Sequence, residues 1–141
     1  MQVELSASLQ NQIFALLEAG HPNEAGGFLL GEPGEKVIIR DVIPITNTFA
    51  SEEQWHRYAM TPQDWARLED EADERGLTLV GYYHSHPDSP AIPSIFDRDH
   101  ALPNFVYIIT AVYAAKHAEQ RAWWLRDDRT AFDEGELIVR A

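Results

Sequence analysis

Apolar residues at Leu9, Ile13, Leu16 and Leu17 recur at the spacing of one helical face, and Gly20 and Pro22 stop the pattern. The spacing predicts a helix over 9–19. Two apolar runs follow, 26–31 and 36–45, and the turn Glu32-Pro33-Gly34-Glu35 between them predicts a β-hairpin. Residues 47–54 are polar and read as a loop. Thr61-Pro62-Gln63-Asp64 then combines a capping hydroxyl, a proline at the first helical position and a carboxylate three residues after the cap. A second helix is expected there, with Trp65, Leu68 and Ala72 as its buried stripe and Gly76 at its end.

The run from Leu77 to Tyr83 predicts a strand leading into His84-Ser85-His86-Pro87, and a proline-rich loop continues to Pro93. A short third helix from Ser94 to about Leu102, a strand over 105–113, and a hairpin of 121–126 with 130–139 around Asp127-Asp128-Arg129 complete the chain. This order suggests a mixed β-sheet flanked by helices, in the α/β or α+β range. No repeat, low-complexity tract or linker interrupts it. The 141 residues suffice for one packed core and are few for two, so 1–141 is expected to be a single domain.

Composition adds exclusions. Apolar residues make up 45% of the chain and aromatics 11%, which suits a packed globule. The net charge of −12 argues against nucleic acid and against anionic membranes, since both need a basic surface. With no cysteine, disulfides, thiolate metal sites and cysteine-peptidase chemistry are excluded. Met1-Gln-Val-Glu-Leu-Ser6 lacks a basic region followed by an apolar one, and no run reaches the length of a membrane span. The expectation is a soluble, cytoplasmic protein.

The chemistry lies in His84-Ser85-His86, followed by Ser94 and Asp97. On a strand, residues i and i+2 share a face, so both imidazoles can converge on one ion while Ser85 points away. A catalytic zinc takes three protein ligands and keeps a fourth position for water, and His84, His86 and Asp97 meet that count. Asp97 also has a second reading, because Ser94-Ile95-Phe96-Asp97 is a capping arrangement for the third helix. Glu24 is the candidate base, although a glutamate in a loop is commonly just solvated, and His21 reads as a surface residue.

The string His84-Ser85-His86, seven residues, Ser94, two residues, Asp97, with Glu24 upstream in Pro22-Asn-Glu-Ala-Gly-Gly-Phe-Leu-Leu-Gly31, resembles the JAMM or MPN-plus metallopeptidases. The resemblance implies a cytidine-deaminase-like fold and one zinc held by His84, His86 and Asp97. It further implies that Glu24 activates the zinc-bound water and that Ser94 helps stabilise the tetrahedral intermediate. Zinc lowers the pKa of its water toward about 7, so a carboxylate can take that proton at neutral pH and pass it to the leaving amine.

The chain looks most like the small prokaryotic branch, and its loop Pro87 to Ser94 is similar to that of members linked to ubiquitin-like sulfur carrier proteins. Such members cleave after a carrier's C-terminal Gly-Gly. The tail is expected to add to a sheet edge received by Phe49 to Met60. Two other functions share these residues: a non-catalytic MPN-type scaffold, and a zinc hydrolase acting on a small amide. Of the remaining polar residues, His100 is a surface residue, a substitute ligand or an outer partner. His56 and His117 are structural, and Asp88 and Asp99 are ordinary loop and helix charges. Trp123 and Trp124 are adjacent on a strand, so one faces the core; the other marks a partner surface or packs beneath a helix. Ser85 lacks the glycine-flanked elbow of a serine nucleophile.

Overall fold

Ten elements run in the order β1 (Gln2–Ser6), α1 (Ala7–Gly20), β2 (Gly26–Glu32), β3 (Lys36–Pro44), α2 (Pro62–Glu74), β4 (Thr78–Pro87), α3 (Ile95–His100), β5 (Val106–Tyr113), β6 (Lys116–Leu125) and β7 (Phe132–Arg140). The structure is a computed structural model, and it describes residues 1–45 and 62–141. The expected 47–54 loop, His56 and the 49–60 tail-receiving segment therefore lie outside the described residues.

The expected helices and the first hairpin form where the periodicity places them; β6 starts at Lys116 where 121 was expected, and Thr61, the expected cap of α2, lies outside the described residues. Ser6 caps α1 through its Oγ, which accepts the Leu9 N–H at 3.0 Å, and Leu9, Ile13 and Leu17 form the buried face of that helix. Gly76, at φ +71°, takes the left-handed conformation that stops the chain after α2. The strand β1 was not foreseen. Its two buried residues, Val3 and Leu5, alternate with more exposed neighbours, a signal too short to stand out before a helix.

The strand β1 changes the architecture. It pairs in parallel with both β3 and β7, so the mixed sheet closes into a barrel in the order β1-β3-β2-β4-β5-β6-β7. The strand β5 shows how two layers arise from one sheet: Val106, Ile108 and Val112 pack inward with α1, whereas Tyr107, Ile109 and Ala111 pack on the outer face. Burial on both faces explains why this strand reads as a continuous apolar run. Trp65 and Leu68 of α2 pack against the outer layer. Trp124 joins the inner layer, and Trp123 joins the outer one, where its indole N–H donates to the Ala91 carbonyl at 3.0 Å. Both indoles are thus buried, and the second is bonded to the proline-rich loop, where a helix was the expected cover. Among the described residues no helix is long and apolar enough to cross a membrane.

Candidate metal centre

The period of two in β4 sends His84 and His86 to one face at the end of the strand, and α3 carries Asp97 back over them. One possible donor atom from each of the three lies within 4.8 Å of the others. Asp97 Oδ2 is 3.0 Å from His86 Nε2, and Oδ1 is 3.4 Å from His84 Nε2. Among the described residues no other trio of histidines and carboxylates converges in this way.

His84 is fully buried at 0% exposure, yet neither of its ring nitrogens has a hydrogen-bond partner. An unmet buried polar group costs about 1–3 kcal/mol, and a cation bound by the imidazole lone pair would remove that cost at one of the two nitrogens. His86 points the same way. Its Nδ1–H donates to the Pro90 carbonyl at 2.8 Å while Nε2 faces the Asp97 carboxylate. A neutral imidazole has one N–H for those two acceptors, so the Nε2 side calls for a second proton or a metal ion. The donor set, two imidazoles and one carboxylate with no thiolate, therefore fits a divalent metal.

Charge follows the same geometry. Burial pulls the proton affinity of His86 down, but the Asp97 carboxylate, the Pro90 carbonyl and the field of Glu24 outweigh it and leave the imidazole more basic than usual. Burial likewise pushes the Asp97 carboxyl up, but His84, His86 and the Ser94 N–H hold it well below the ordinary carboxylate range. Asp97 is therefore an anion at neutral pH.

The capping reading of Asp97 holds, and it leaves the carboxylate facing both imidazoles. Asp97 Oδ2 accepts the Ser94 N–H at 2.9 Å, and Ser94 Oγ accepts the Asp97 N–H at 3.0 Å, a complete capping box. That cap fixes the carboxylate's plane, and Oδ1 is left to face His84.

Glu24 reaches the same place through strand pairing. The backbone N–H of Ser85 donates to the Ala25 carbonyl at 2.9 Å, the Ala25 N–H donates to Ser85 Oγ at 3.0 Å, and Gly26 pairs with His84. Glu24, His86, Ile92 and Ser94 consequently line one cleft of about 400 Å³. The glycine at 26 has a reason: a Cβ there would sit 2.5 Å from the Tyr83 carbonyl, closer than any side chain tolerates. The role of Ser85 could not be read from the chain, since its partner lies sixty residues upstream. The His21 ring, expected at the surface, is mostly covered, and its Nε2 lies 3.1 Å from Asp88 Oδ1. His117 is structural as expected, stacked on Phe14 at 3.8 Å and bonded to Glu18. His100 ends α3, and its side chain lies outside the described residues.

Residues 6–126 match the model of the prokaryotic homologues of the JAB domain. The chain belongs to this JAB family. The JAB chain is 29% identical over 113 residues to a protein named desampylase from Haloferax volcanii, covering 77% of this chain and 79% of that protein. A solution structure from Salinibacter ruber superposes with a TM-score of 0.74 at 34% identity, over 100% of this chain and 92% of that one. A structure described as a metalloprotease-like zinc site in the proteasome and signalosome superposes over the whole of both chains with a TM-score of 0.59; at 19% identity it shows shared fold. The JAB chain is thus a small prokaryotic member of the JAMM/MPN group, with the mixed sheet and flanking helices of that fold.

Proposed function

We propose that this protein is a zinc-dependent peptidase or isopeptidase that cuts the bond after the C-terminal Gly-Gly of a ubiquitin-like sulfur carrier. The observation that carries the reading is the convergence of His84, His86 and Asp97, with no hydrogen bond at either nitrogen of buried His84 and Glu24 lining the cleft beside His86. Kinship with the archaeal desampylase supports a hydrolytic role. His84, His86 and Asp97 hold the ion. Zinc, when bound, supplies Lewis-acid polarisation of a carbonyl and acidifies water.

The chain's own groups do the rest. The Glu24 carboxylate takes a proton from the attacking water and returns it to the leaving amine. Ser94 Oγ accepts the Asp97 N–H, and its own hydrogen donates to the oxygen of the scissile carbonyl as charge develops there. Pro90 and Ile92 wall the cleft, and a tail ending in two glycines can bring its backbone between them without side-chain collision. A cytoplasmic setting suits the absence of cysteine.

The test is cleavage of a carrier fused through Gly-Gly to a reporter peptide, with zinc quantified in every sample. Wild-type protein should release the reporter, Glu24→Gln should carry normal zinc and release almost none, and a Gly-Ala tail should resist cleavage. Undiminished turnover by Glu24→Gln removes that residue from the base role, and equal rates on both tails sink the substrate assignment.

A further inference from the structure

We propose that Trp123 and Arg129, which touch none of the three ligands, are positioning residues that set how tightly the centre grips its ion. The inference rests on the metal-centre reading above. Two arms approach His84 and His86 from outside the barrel: the proline-rich loop, whose Pro90 carbonyl receives His86 Nδ1–H, and α3, which carries Asp97. Neither arm is part of the sheet. Each is tied down by the same piece of structure, the β6–β7 hairpin.

The first tie is the Trp123 indole N–H, which donates to the Ala91 carbonyl at 3.0 Å beneath a fully buried Ala91. Ala91 adjoins Pro90, so this bond fixes the position of the carbonyl that orients the His86 ring. With Nδ1–H held there, Nε2 is the nitrogen presented to Asp97 and to a cation.

The second tie is the Arg129 guanidinium at the hairpin turn. It donates to the Ala101 carbonyl at 2.9 Å and lies 3.4 Å from the carbonyls of Arg98 and Asp99. These carbonyls belong to the last turn of α3 and to Ala101, which caps its end, and a cation there also suits the helix's negative end. The capping box holds α3 at its start and Arg129 holds it at its finish. Six residues of helix are too few to be stable alone, so its orientation depends on both ends being held. The turn is itself built to present the guanidinium: Arg129 has φ 62°, its N–H donates to the Arg126 carbonyl at 2.8 Å, and Asp128 Oδ1 accepts from the Thr130 N–H and hydroxyl.

The measurement is the zinc dissociation constant by competition with a fluorescent chelator, for wild type, Trp123→Phe, Arg129→Met, Arg129→Lys and Arg126→Met. Each metal-free protein is also melted. Trp123→Phe keeps the ring and removes only the donor, and Arg126→Met cuts the Asp133 pairing in the same hairpin without touching either arm. Removing a ligand's own outer partner weakens metal binding about 10- to 100-fold, and these ties act one bond further out. Trp123→Phe and Arg129→Met are expected to raise the dissociation constant roughly ten-fold, at melting temperatures near that of Arg126→Met. Arg129→Lys, which can reach one carbonyl, should recover part of the loss, and Arg126→Met should bind as wild type does. Equal affinity in all five proteins overturns this inference alone, and so does an equal loss in Arg126→Met. Wild-type protein that binds no zinc overturns the metal centre together with it.

Discussion

Ser85 Oγ accepts the backbone N–H of Ala25 at 3.0 Å, so the strand that presents both histidines also holds the residue next to Glu24. Ser85 is buried, and this bond links two stretches of chain that lie far apart in sequence. Ser85→Ala would leave the Ala25 N–H without a partner at a cost of about 1–3 kcal/mol. The expected outcome is a lowered melting temperature and a fall in kcat with zinc content intact, because Glu24 loses its tether and the ligands do not. Zinc loss in proportion to activity would contradict that division.

Asp97 and Ser94 share one capping box, yet their removal should differ. Asp97→Ala deletes the carboxylate that faces both imidazoles, and bound zinc should fall from about one per chain to a small fraction. Ser94→Ala keeps the ligands and removes a cap worth about 1 kcal/mol. It should stay metal-loaded and lose on the order of 10²–10³ in rate. Metal analysis beside a turnover assay checks both.

Gly26 should tolerate no side chain. In Gly26→Ala the new methyl would lie 2.5 Å from the Tyr83 carbonyl and 2.8 Å from the Tyr82 hydroxyl. The two strands must part to relieve it, which moves Glu24 away from His86. A destabilisation of about 1–3 kcal/mol and loss of activity are expected, read by thermal melting and turnover.

The Glu18 contact with His117 predicts a pH dependence of stability. The His117 backbone N–H donates to Glu18 Oε2 at 2.9 Å, and that bond, then the one from the imidazole, holds the carboxyl below its ordinary value of 4.5. A depressed carboxyl stabilises the fold above its unfolded pKa, and the benefit is lost as pH falls through the folded one. Melting temperature should therefore drop on acidification below about pH 4.5, less steeply in Glu18→Gln than in wild type. Parallel curves for the two proteins would contradict the assignment.

Much of this was legible in the chain, for identifiable reasons. Period-two alternation placed His84 and His86 on one face, helical spacing located α1 and α2, and the Ser94–Asp97 cap located α3. Other features depended on pairings distant in sequence. The approach of Glu24 follows from the β2–β4 register, which no local pattern encodes. The ambiguity of Asp97 was real at the level of sequence, because the carboxylate that closes the helix cap is also the one that faces both imidazoles. Closure of the sheet was hidden in β1, whose five residues gain their meaning from β3 and β7. Trp123 carried no signal that its partner would be a loop carbonyl.

That closure sets the order in which the sheet can assemble. Gln2 to Ser6 pair with Glu136 to Arg140, and Gln2 and Glu136 are 134 positions apart. A contact across that separation is the kind that costs most entropy and forms slowest. The strand that carries His84 and His86 needs no such wait, since its partners are β2 and β5. Sealing of the ring is thus expected as the late step of refolding, and a substitution that weakens the β1–β7 seam should betray itself as slow closure around a histidine-bearing strand already in place.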